Sequence, residues 1–360
     1  MKIVAATYYQ VRIPLKKPMI TSYAKMTDKE FDLLILTDEA GYQGIGELSA
    51  LSHPDYLAEF LVQERLVIQK YLLPQVLKQQ NWDFSWLKGH HFAKATLEQC
   101  LFDLQAKRQQ VSLRYLLNHP KDKLEVGVSL GIFTDQITLN KKVADLYAQG
   151  YRRFKFKVQP GLPWQWFKEL KQTFPMITLW ADANGAFKHA TDAAVLALDE
   201  VGFALLEQPF GSDDFVRHAS LQAKLQTPVC LDESLTSLAQ LKTAHALGSC
   251  RVVNLKLGRV GGFKEGLRVL QYCQANNLQA WVGGMYESGV GRAFNWQFAS
   301  QACFKLAGDL APTQTYLSDD IINEKFVVTD GQITLPDTPG CGVSLDLAKL
   351  NYYSQALTQF

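Results

Sequence analysis

The start of the chain alternates between apolar and polar positions. Residues 1–14 and 31–37 alternate in steps of two, and this pattern predicts strands with one buried face. Residues 41–46 contain three glycines within six positions, which predicts a turn between strands and helices. The chain therefore begins with a small set of strands.

Helical spacing of apolar residues follows these strands. It covers residues 56–79 and 92–110, and it predicts two helices. In the second helix, one stripe is formed by Leu97, Leu101, Leu104 and Arg108. Strands followed by helices predict an α+β unit over residues 1–120.

From residue 124 onward, short apolar segments alternate with helical ones at a nearly regular interval. Eight segments are predicted strands: residues 125–131, 153–158, 177–182, 204–207, 229–232, 252–257, 279–283 and 305–308. Their almost continuous apolar character is typical of parallel strands covered on both faces. We expect an α/β fold, a TIM-type barrel with a modified end over residues 121–316. Residues 317–360 return to loops and short strands and are predicted to pack back on the N-terminal α+β unit.

Composition narrows the classes of partner. A chain of 360 residues is longer than a domain with a single hydrophobic core usually is. Its composition, 47% hydrophobic and 20% charged residues, is typical of a globular protein. With 37 basic and 35 acidic residues, nucleic acid is not expected as a partner. No apolar run reaches the ~20 residues of a membrane span and no secretory signal opens the chain. We expect a cytoplasmic protein whose six cysteines are reduced. A homo-oligomer is compatible with the sequence.

Acidic residues end three consecutive predicted barrel strands. Asp182, Glu207 and Asp232 follow one another at intervals of 25 residues, about one strand–helix unit each. Because active sites of such barrels lie at the carboxyl ends of the strands, the three carboxylates should converge. Converging anions require a cation, and Mg²⁺ prefers carboxylate oxygens, with Mn²⁺ as an alternative ion. Capping of the following helices is the competing explanation for each residue taken singly.

Lysines lie at the ends of two further strands. Lys155 and Lys157 are two apart and therefore share one face of their strand, while Lys256 ends a strand across the barrel. Solvated lysines on an edge strand are the alternative. Inside the barrel, Lys157 and Lys256 would flank a substrate from opposite sides. This arrangement suits abstraction of a proton next to a carboxylate, with the enediolate stabilised by the metal and the second lysine.

The strand ends resemble those of the enolase superfamily, in the subgroup similar to muconate lactonizing enzyme. The motifs K-x-K at 155–157, D-x-N at 182–184, E-Q-P at 207–209, D-E-S at 232–234 and N-x-K at 254–256 carry the resemblance in order and spacing. It implies a modified (β/α)7β barrel with a capping domain, here the α+β unit of residues 1–120 on which residues 317–360 pack. It also implies a small carboxylate substrate and catalysis by Lys157 and Lys256. The residues it implies in supporting or substrate-binding roles are Lys155, Asn184, Glu233, Asn254, Arg259, Gly284, Met285 and Asp309. For Arg259, a structural ion pair is an equally supported interpretation.

Within that subgroup, residues 27–31, 257–262 and 284–292 are most similar to o-succinylbenzoate synthases related to N-acylamino-acid racemases. The resemblance implies a hydro-lyase of menaquinone biosynthesis. It would convert 2-succinyl-6-hydroxy-2,4-cyclohexadiene-1-carboxylate to o-succinylbenzoate by syn dehydration. The segment Leu310-Ala311-Pro312 departs from the Ile-Ser usual in relatives and could shift specificity.

Other functions remain as alternatives. Racemisation of N-succinyl or other N-acylamino acids, alone or as a second activity, ranks first among them. Dipeptide epimerase is less expected because a second acid after Asp309 is missing, and muconate cycloisomerase is also less expected. A metal-free Schiff-base lyase and a non-catalytic binding barrel complete the set. In the family, capping-domain loops select the substrate, here residues 19–26 and 49–56, whose Tyr23 and Tyr56 we interpret as surface aromatics.

Overall fold

The computed structural model describes residues 1–20, 25–117 and 121–360. Its first layer is an antiparallel sheet in the order β13-β1-β2-β3. The strands are β1 (Ile3–Ile20), β2 (Lys25–Asp38), β3 (Gln43–Leu48) and β13 (Ser354–Gln359). Both strands predicted from alternation are confirmed, and each is longer than its pattern. The prediction of a loop over 19–26 is wrong at its two ends, which belong to β1 and β2; Tyr23 lies outside the described residues.

Helices cover this sheet. They are α1 (Leu61–Val67), two π-helical turns (Ile68–Leu72 and Gln75–Gln79), α2 (His91–Arg108) and α3 (Leu113–Leu116). The predicted stripe of α2 is confirmed at Leu97 and Leu104, which are fully buried against the sheet. Burial of this apolar face is what holds the helices on the strands.

Two glycines of the predicted turn belong instead to β3, where α2 approaches the backbone. Only Gly41 adopts a turn conformation, with φ of +83°. A Cβ atom at Gly44 would overlap the carbonyl oxygen of Cys100 and come within 2.8 Å of the Cβ of Leu104. The absence of a side chain at Gly44 therefore allows the helix and the strand to pack closely.

We expect Gly44→Ala to lower the free energy of unfolding by roughly 1–3 kcal/mol, because an added methyl group overpacks this contact. Gly211→Ala is the matched control, since a Cβ at Gly211 meets no atom of the described residues within 4 Å. Urea denaturation of both variants measures the difference. Equal stability of the two would contradict the close-packing explanation.

A parallel sheet forms the second layer, in the order β11-β10-β9-β8-β7-β6-β5. Its strands are β5 (Val128–Leu130), β6 (Arg153–Lys157), β7 (Thr178–Asp182), β8 (Leu205–Glu207), β9 (Val229–Leu231), β10 (Val252–Leu255) and β11 (Gln279–Val282). The order follows the chain without crossing, as in a barrel. Seven of the eight predicted strands are confirmed in position. The first is split, because residues 123–125 form a separate strand, β4 (Lys123–Glu125).

Helices follow most of these strands and pack on the outer face. They are α4 (Gln136–Ala148), α5 (Gln165–Thr173), α6 (Asp192–Leu196), α7 (Phe215–Gln222), α8 (Leu238–Leu247), α9 (Leu257–Val260), α10 (Phe263–Ala275) and α11 (Gly289–Ala299). Two 3₁₀ turns lie at Ala197–Val201 and Thr313–Thr315. The sixth predicted strand is too long, since Leu257 already begins a helix.

The eighth predicted strand, residues 305–308, is wrong as a regular strand. Instead, this segment makes single hydrogen bonds to both edges of the parallel sheet. The N–H of Gly127 donates to the carbonyl of Gly308 at 2.9 Å, and the N–H of Asp309 donates to the carbonyl of Val282 at 3.2 Å. The segment thus closes the sheet into a modified (β/α)7β barrel, with few backbone bonds to fix its last residue.

The chain beyond residue 317 contacts both layers. β12 (Gln332–Thr334) pairs with β4, and α12 (Leu347–Tyr353) leads into β13, which pairs antiparallel with β1. The N–H of Ser318 also donates to the carbonyl of Pro14 at 3.0 Å. None of the helices in the described parts of the chain combines the length and apolar character that a bilayer crossing requires.

Candidate active site

A cavity of about 740 Å³ opens at the carboxyl ends of the barrel strands, beneath the antiparallel sheet. Nine of the predicted site residues line it: Lys155, Lys157, Asp182, Asn184, Asp232, Lys256, Gly284, Met285 and Asp309. Four others, Glu207, Glu233, Asn254 and Arg259, are buried behind its wall. Met19, Leu51 and Tyr56 contribute from the two loops that we expected to face the substrate. The cavity thus lies between the ends of the barrel strands and the N-terminal layer of strands and helices, which we call the capping unit.

The three predicted metal ligands occupy neighbouring strand ends. Asp182 and Glu207 are the last residues of β7 and β8 and stand in register, and Asp232 follows β9 directly. All three are almost fully buried. In the portion of the chain that the structure describes, no three His, Cys, Asp or Glu side chains are oriented to hold a metal ion together. The carboxylate oxygens of Asp182, Glu207 and Asp232 mostly face basic side chains instead.

Lys155 occupies the centre of this charge cluster. Its Nζ lies 2.8 Å from Asp182 Oδ2, 2.8 Å from Glu207 Oε2 and 2.7 Å from Asp309 Oδ2. Burial favours a lower pKa for Lys155, but the charges of the three carboxylates outweigh burial and hold the pKa well above its usual value. Lys155 is therefore a fixed ammonium ion. The alternative of a solvated edge-strand lysine is wrong for this residue.

Lys157 points into the cavity on the same strand face as Lys155, as the two-residue spacing predicted. Its Nζ lies 2.8 Å from Asp182 Oδ2 and 2.5 Å from Asn184 Oδ1. The amide of Asn184 donates in turn to Glu233 Oε1 at 2.7 Å. Asn184 adopts a positive φ of +43°, which directs the chain back across the end of β7.

Lys256 reaches the cavity from the opposite part of the barrel. Its Nζ lies 3.0 Å from Asp232 Oδ2 and 2.7 Å from the hydroxyl of Tyr56. Arg259 is fully buried and pairs with Asp232 Oδ1, while its other nitrogens donate to the carbonyls of Leu235 and Asn254. Burial raises the pKa of Asp232, but Arg259 and Lys256 more than offset this and keep it below its usual range. Asp232 is therefore ionised.

The interpretation of Tyr56 as a surface aromatic is wrong. Its hydroxyl donates to Asp232 Oδ2 at 2.9 Å, and Arg259 Nη1 lies 2.8 Å from the same hydroxyl. The Nζ of Lys256 also stands 4.8 Å from the centre of the Tyr56 ring. One side chain of the capping unit thus contacts a carboxylate, a lysine and an arginine of the barrel.

Tyr56→Phe is expected to reduce kcat/KM about tenfold, since it deletes one hydroxyl that bonds to charged groups, an interaction of ~1.5 kcal/mol or somewhat more. The ring remains, so binding of the loop should persist. Tyr42→Phe, an exposed tyrosine of the same unit, is the control. Unchanged kinetics in Tyr56→Phe would contradict a role of the hydroxyl in catalysis. Its bonds would then serve only to hold the loop against the barrel in the free enzyme.

The three carboxylates face basic side chains in this structure, but the chemistry of the donors fits a divalent cation. Asp182 Oδ1 is buried and has no hydrogen-bond partner among the described residues, and the surrounding ligand atoms are hard carboxylate oxygens. Burial and the neighbouring charge of Asp182 raise the pKa of Glu207 to about 8. Burial and the charge of Asp232 raise the pKa of Glu233 to about 7. A positive ion at this place would relieve both effects.

Several contacts that hold the site were not predicted. Gln208 has a φ of +40°, and its side-chain oxygen accepts from the N–H of Asp232 at 3.0 Å. Asn254 donates to Glu207 Oε1 at 2.8 Å from the neighbouring side. Gln208 follows Glu207 within the E-Q-P motif, which was a signal in the sequence. Tyr56 offered none, because it lies 200 positions from Lys256 along the chain.

The capping unit also holds the loop at residues 284–288. Glu47, fully buried, accepts from the N–H and hydroxyl of Ser288 at 3.1 and 2.6 Å, and from the N–H of Gly291 at 2.9 Å. A carboxylate at this end of α11 complements the helix dipole. Glu287 accepts from the N–H of Met285 at 2.8 Å. These bonds set the position of Gly284 and Met285 at the cavity wall.

Comparison with known proteins places the chain among related sequences. Residues 3–118 match the model for the mandelate racemase / muconate lactonizing enzyme N-terminal domain, and residues 138–349 match the enolase C-terminal domain-like model. The o-succinylbenzoate synthase of Enterococcus faecalis is 45% identical over 99% of both chains. The N-succinylamino acid racemase of Thermus thermophilus is 37% identical over 96% of both. A solved member of the enolase superfamily from Listeria innocua superposes with a TM-score of 0.96 at 37% identity, covering 100% of this chain and 99% of the other.

Proposed function

The chain belongs to the mandelate racemase / muconate lactonizing enzyme family of the enolase superfamily, and from this premise we propose that it is a hydro-lyase that forms o-succinylbenzoate. The substrate would be 2-succinyl-6-hydroxy-2,4-cyclohexadiene-1-carboxylate. Five relatives that carry the name o-succinylbenzoate synthase are 33–45% identical over 96–99% of this chain. The observation that carries the proposal is that Lys157 and Lys256 line one cavity together with Asp182 and Asp232.

Membership of this family implies a divalent metal ion, and we propose Mg²⁺, with Mn²⁺ as a substitute. Asp182, Glu207 and Asp232 would hold it. Bound there, the ion would stabilise the negative charge that develops on a substrate carboxylate when the neighbouring proton is removed. Lys155, Asn184, Glu233, Asn254 and Arg259 would keep the three carboxylates and two lysines in place through the contacts described above.

The chain's own residues would carry out the proton transfers. Lys157, once unprotonated, would take the proton from the carbon next to the carboxylate at Nζ, and the C–H electron pair would form an enediolate. The ammonium of Lys256 would stabilise that charge from the other side. Lys157 would then return its proton to the departing hydroxyl on the same face, so that the C–O bond breaks and water leaves. The ring becomes aromatic, which makes this step strongly favourable.

A direct assay tests the proposal. Purified enzyme with Mg²⁺ should convert the cyclohexadiene carboxylate to o-succinylbenzoate, followed by the ultraviolet absorbance of the aromatic product and by mass spectrometry. The Tyr56→Phe and Lys157→Ala proteins serve as graded controls in the same assay. No product above the non-enzymatic rate from a correctly folded, Mg²⁺-loaded protein would refute the function.

Racemisation of N-succinylamino acids is the second candidate. It is supported by the relative of that name in Thermus thermophilus and by the two lysines that line the same cavity. In deuterium oxide, a racemase would exchange the α-hydrogen of both enantiomers of an N-succinylamino acid. Lack of exchange in either enantiomer would eliminate this activity without affecting the first proposal.

Two further functions are less expected. Leu310 and Ala311 follow Asp309 where dipeptide epimerases usually carry a second acid, so we do not favour that activity. Muconate cycloisomerase is placed behind both leading candidates. We place the enzyme in the cytoplasm, with a small carboxylate as its ligand.

A further inference from the structure

We propose that Arg153 is a positioning residue for the reaction, acting through Asp309 on the ammonium group of Lys155. The inference rests on the proposed function in one respect, because the reaction is one of its readouts. Arg153 stands first on β6, four residues before Lys157 and on the same face. It lies below the cavity and does not line it.

The guanidinium of Arg153 is held inside the barrel. Its Nε donates to the carbonyl of Ala307 at 3.0 Å, and its Cζ lies 4.3 Å from the centre of the Trp180 ring. Gly127 makes room for it, since a Cβ atom there would collide with the guanidinium. Arg153 itself is 5% exposed. Its orientation is therefore fixed by backbone and ring contacts that are independent of the cavity.

Asp309 links this guanidinium to the site. Its Oδ1 accepts from Arg153 Nη1 at 2.5 Å, and its Oδ2 lies 2.7 Å from Lys155 Nζ. One carboxylate thus uses a different oxygen for each partner, so the Arg153 bond determines how Oδ2 faces Lys155. Lys155 then contacts Asp182 and Glu207, each at 2.8 Å. The path from Arg153 to two of the proposed metal ligands consists of direct charged hydrogen bonds.

The closure of the barrel explains why Asp309 needs this support. It follows a segment that is not a regular strand, and its own N–H makes a single bond, to Val282 at 3.2 Å. Its carbonyl accepts from Arg292 Nη1 at 2.5 Å. The backbone alone would leave the carboxylate free to rotate. The bonds of its two oxygens to Arg153 and Lys155 remove that freedom, and Arg153 is the partner held outside the cavity lining.

A purely structural role fits less well. The barrel interior next to Arg153 is apolar, with Trp180, Leu205, Cys230, Val252 and Trp281 packed together. An apolar side chain at position 153 could fill this layer. Replacing both partners of a buried ion pair by apolar groups often leaves stability unchanged or improves it, whereas removing one partner alone is destabilising. Apolar residues at positions 153 and 309 together would therefore serve stability as well as the Arg153–Asp309 pair does.

The experiment compares Arg153→Met, Asp309→Asn and the double variant in the Mg²⁺-loaded enzyme. Arg152→Met is the matched control, because Arg152 is exposed, donates to the carbonyls of Tyr147 and Tyr151, and stacks on the Tyr147 ring. We expect kcat of Arg153→Met to fall about 100-fold, the order of loss caused by a small misplacement of a catalytic group, with KM within about threefold. Arg153→Lys, which keeps the charge, should recover part of kcat.

Two further readouts distinguish positioning from folding. If Arg153 acts through Asp309, the double variant should be about as slow as the slower single variant, because residues on one path are not additive. In a crystal structure of Arg153→Met, Lys155 Nζ should have lost its bond to Asp309. Melting temperatures, measured in parallel, identify any fraction that is unfolded at the assay temperature.

Three results would overturn the inference. They are a folded Arg153→Met enzyme with kcat within about threefold of the parent, multiplicative losses in the double variant, or an Arg153→Met structure in which Lys155 Nζ stays within about 3.2 Å of Asp309. If the parent protein forms no o-succinylbenzoate, the proposed function fails. The crystal structure of Arg153→Met still decides whether Arg153 positions Lys155.

Discussion

Lys157→Ala is expected to lower kcat for dehydration by about 10³–10⁴-fold or more, because it removes the group that takes and returns the proton, and general acid–base catalysis contributes ~10²–10⁴. Lys256→Ala should give a loss of similar size, since it deletes the ammonium that faces the developing charge. Both side chains line the cavity, so truncation should leave the surrounding packing intact. Stopped or single-turnover assays with product detection measure both losses.

Lys141→Ala is the matched control, because Lys141 is exposed and lies outside the cavity lining. It should retain parent activity. Circular dichroism and thermal melting establish that each variant is folded. Near-normal turnover in folded Lys157→Ala or Lys256→Ala would contradict the two-lysine mechanism. Trapping of a carbonyl substrate on either lysine by borohydride would favour Schiff-base chemistry instead.

Removal of divalent metal should have the second large effect. Dialysis against EDTA is expected to leave about 1% of activity or less, because stabilisation of an enediolate is worth several kcal/mol. Added Mg²⁺ should restore activity, and Mn²⁺ should restore part of it. Full activity in the chelated enzyme would refute the metal-assisted mechanism.

Asp182→Asn tests the proposed ligand set without relying on turnover. Within the part of the chain that the structure describes, its buried Oδ1 has no hydrogen-bond partner. Loss of the negative charge should weaken Mn²⁺ binding at least tenfold, a change of ~1.4 kcal/mol. Calorimetry or electron paramagnetic resonance measures that affinity. Asp213→Asn, an exposed acid, is the matched control. Unchanged Mn²⁺ affinity in Asp182→Asn would remove Asp182 from the ligand set.

The barrel and its charged strand ends were readable from the sequence because they depend on local rules. Apolar runs of five or so residues predict buried parallel strands, and the residue after each run lies at the carboxyl edge of the sheet. That rule located Asp182, Glu207 and Asp232, and the period of two placed Lys155 and Lys157 on one face. The eighth segment escaped the rule, since residues 305–308 make isolated bonds instead of a strand ladder.

The partners of those charges could not be read in the same way. Tyr56 lies on an irregular loop, and its contact with Lys256 joins residues 200 positions apart. Arg153 and Asp309 are separated by 156 positions, and nothing in their local pattern links them. Such contacts depend on how the capping unit docks and how the barrel closes.

The sequence by itself thus determined which residue types stand at the strand ends, because strand periodicity and the direction of parallel strands are local properties. Only the tertiary structure decided which charge meets which. It brought Lys155 between Asp182, Glu207 and Asp309, and it turned a loop tyrosine toward the barrel. The physical reason is that a buried charged side chain must pair with an opposite charge, so the position of its partner determines how it is oriented. These partners come from segments that are distant along the chain.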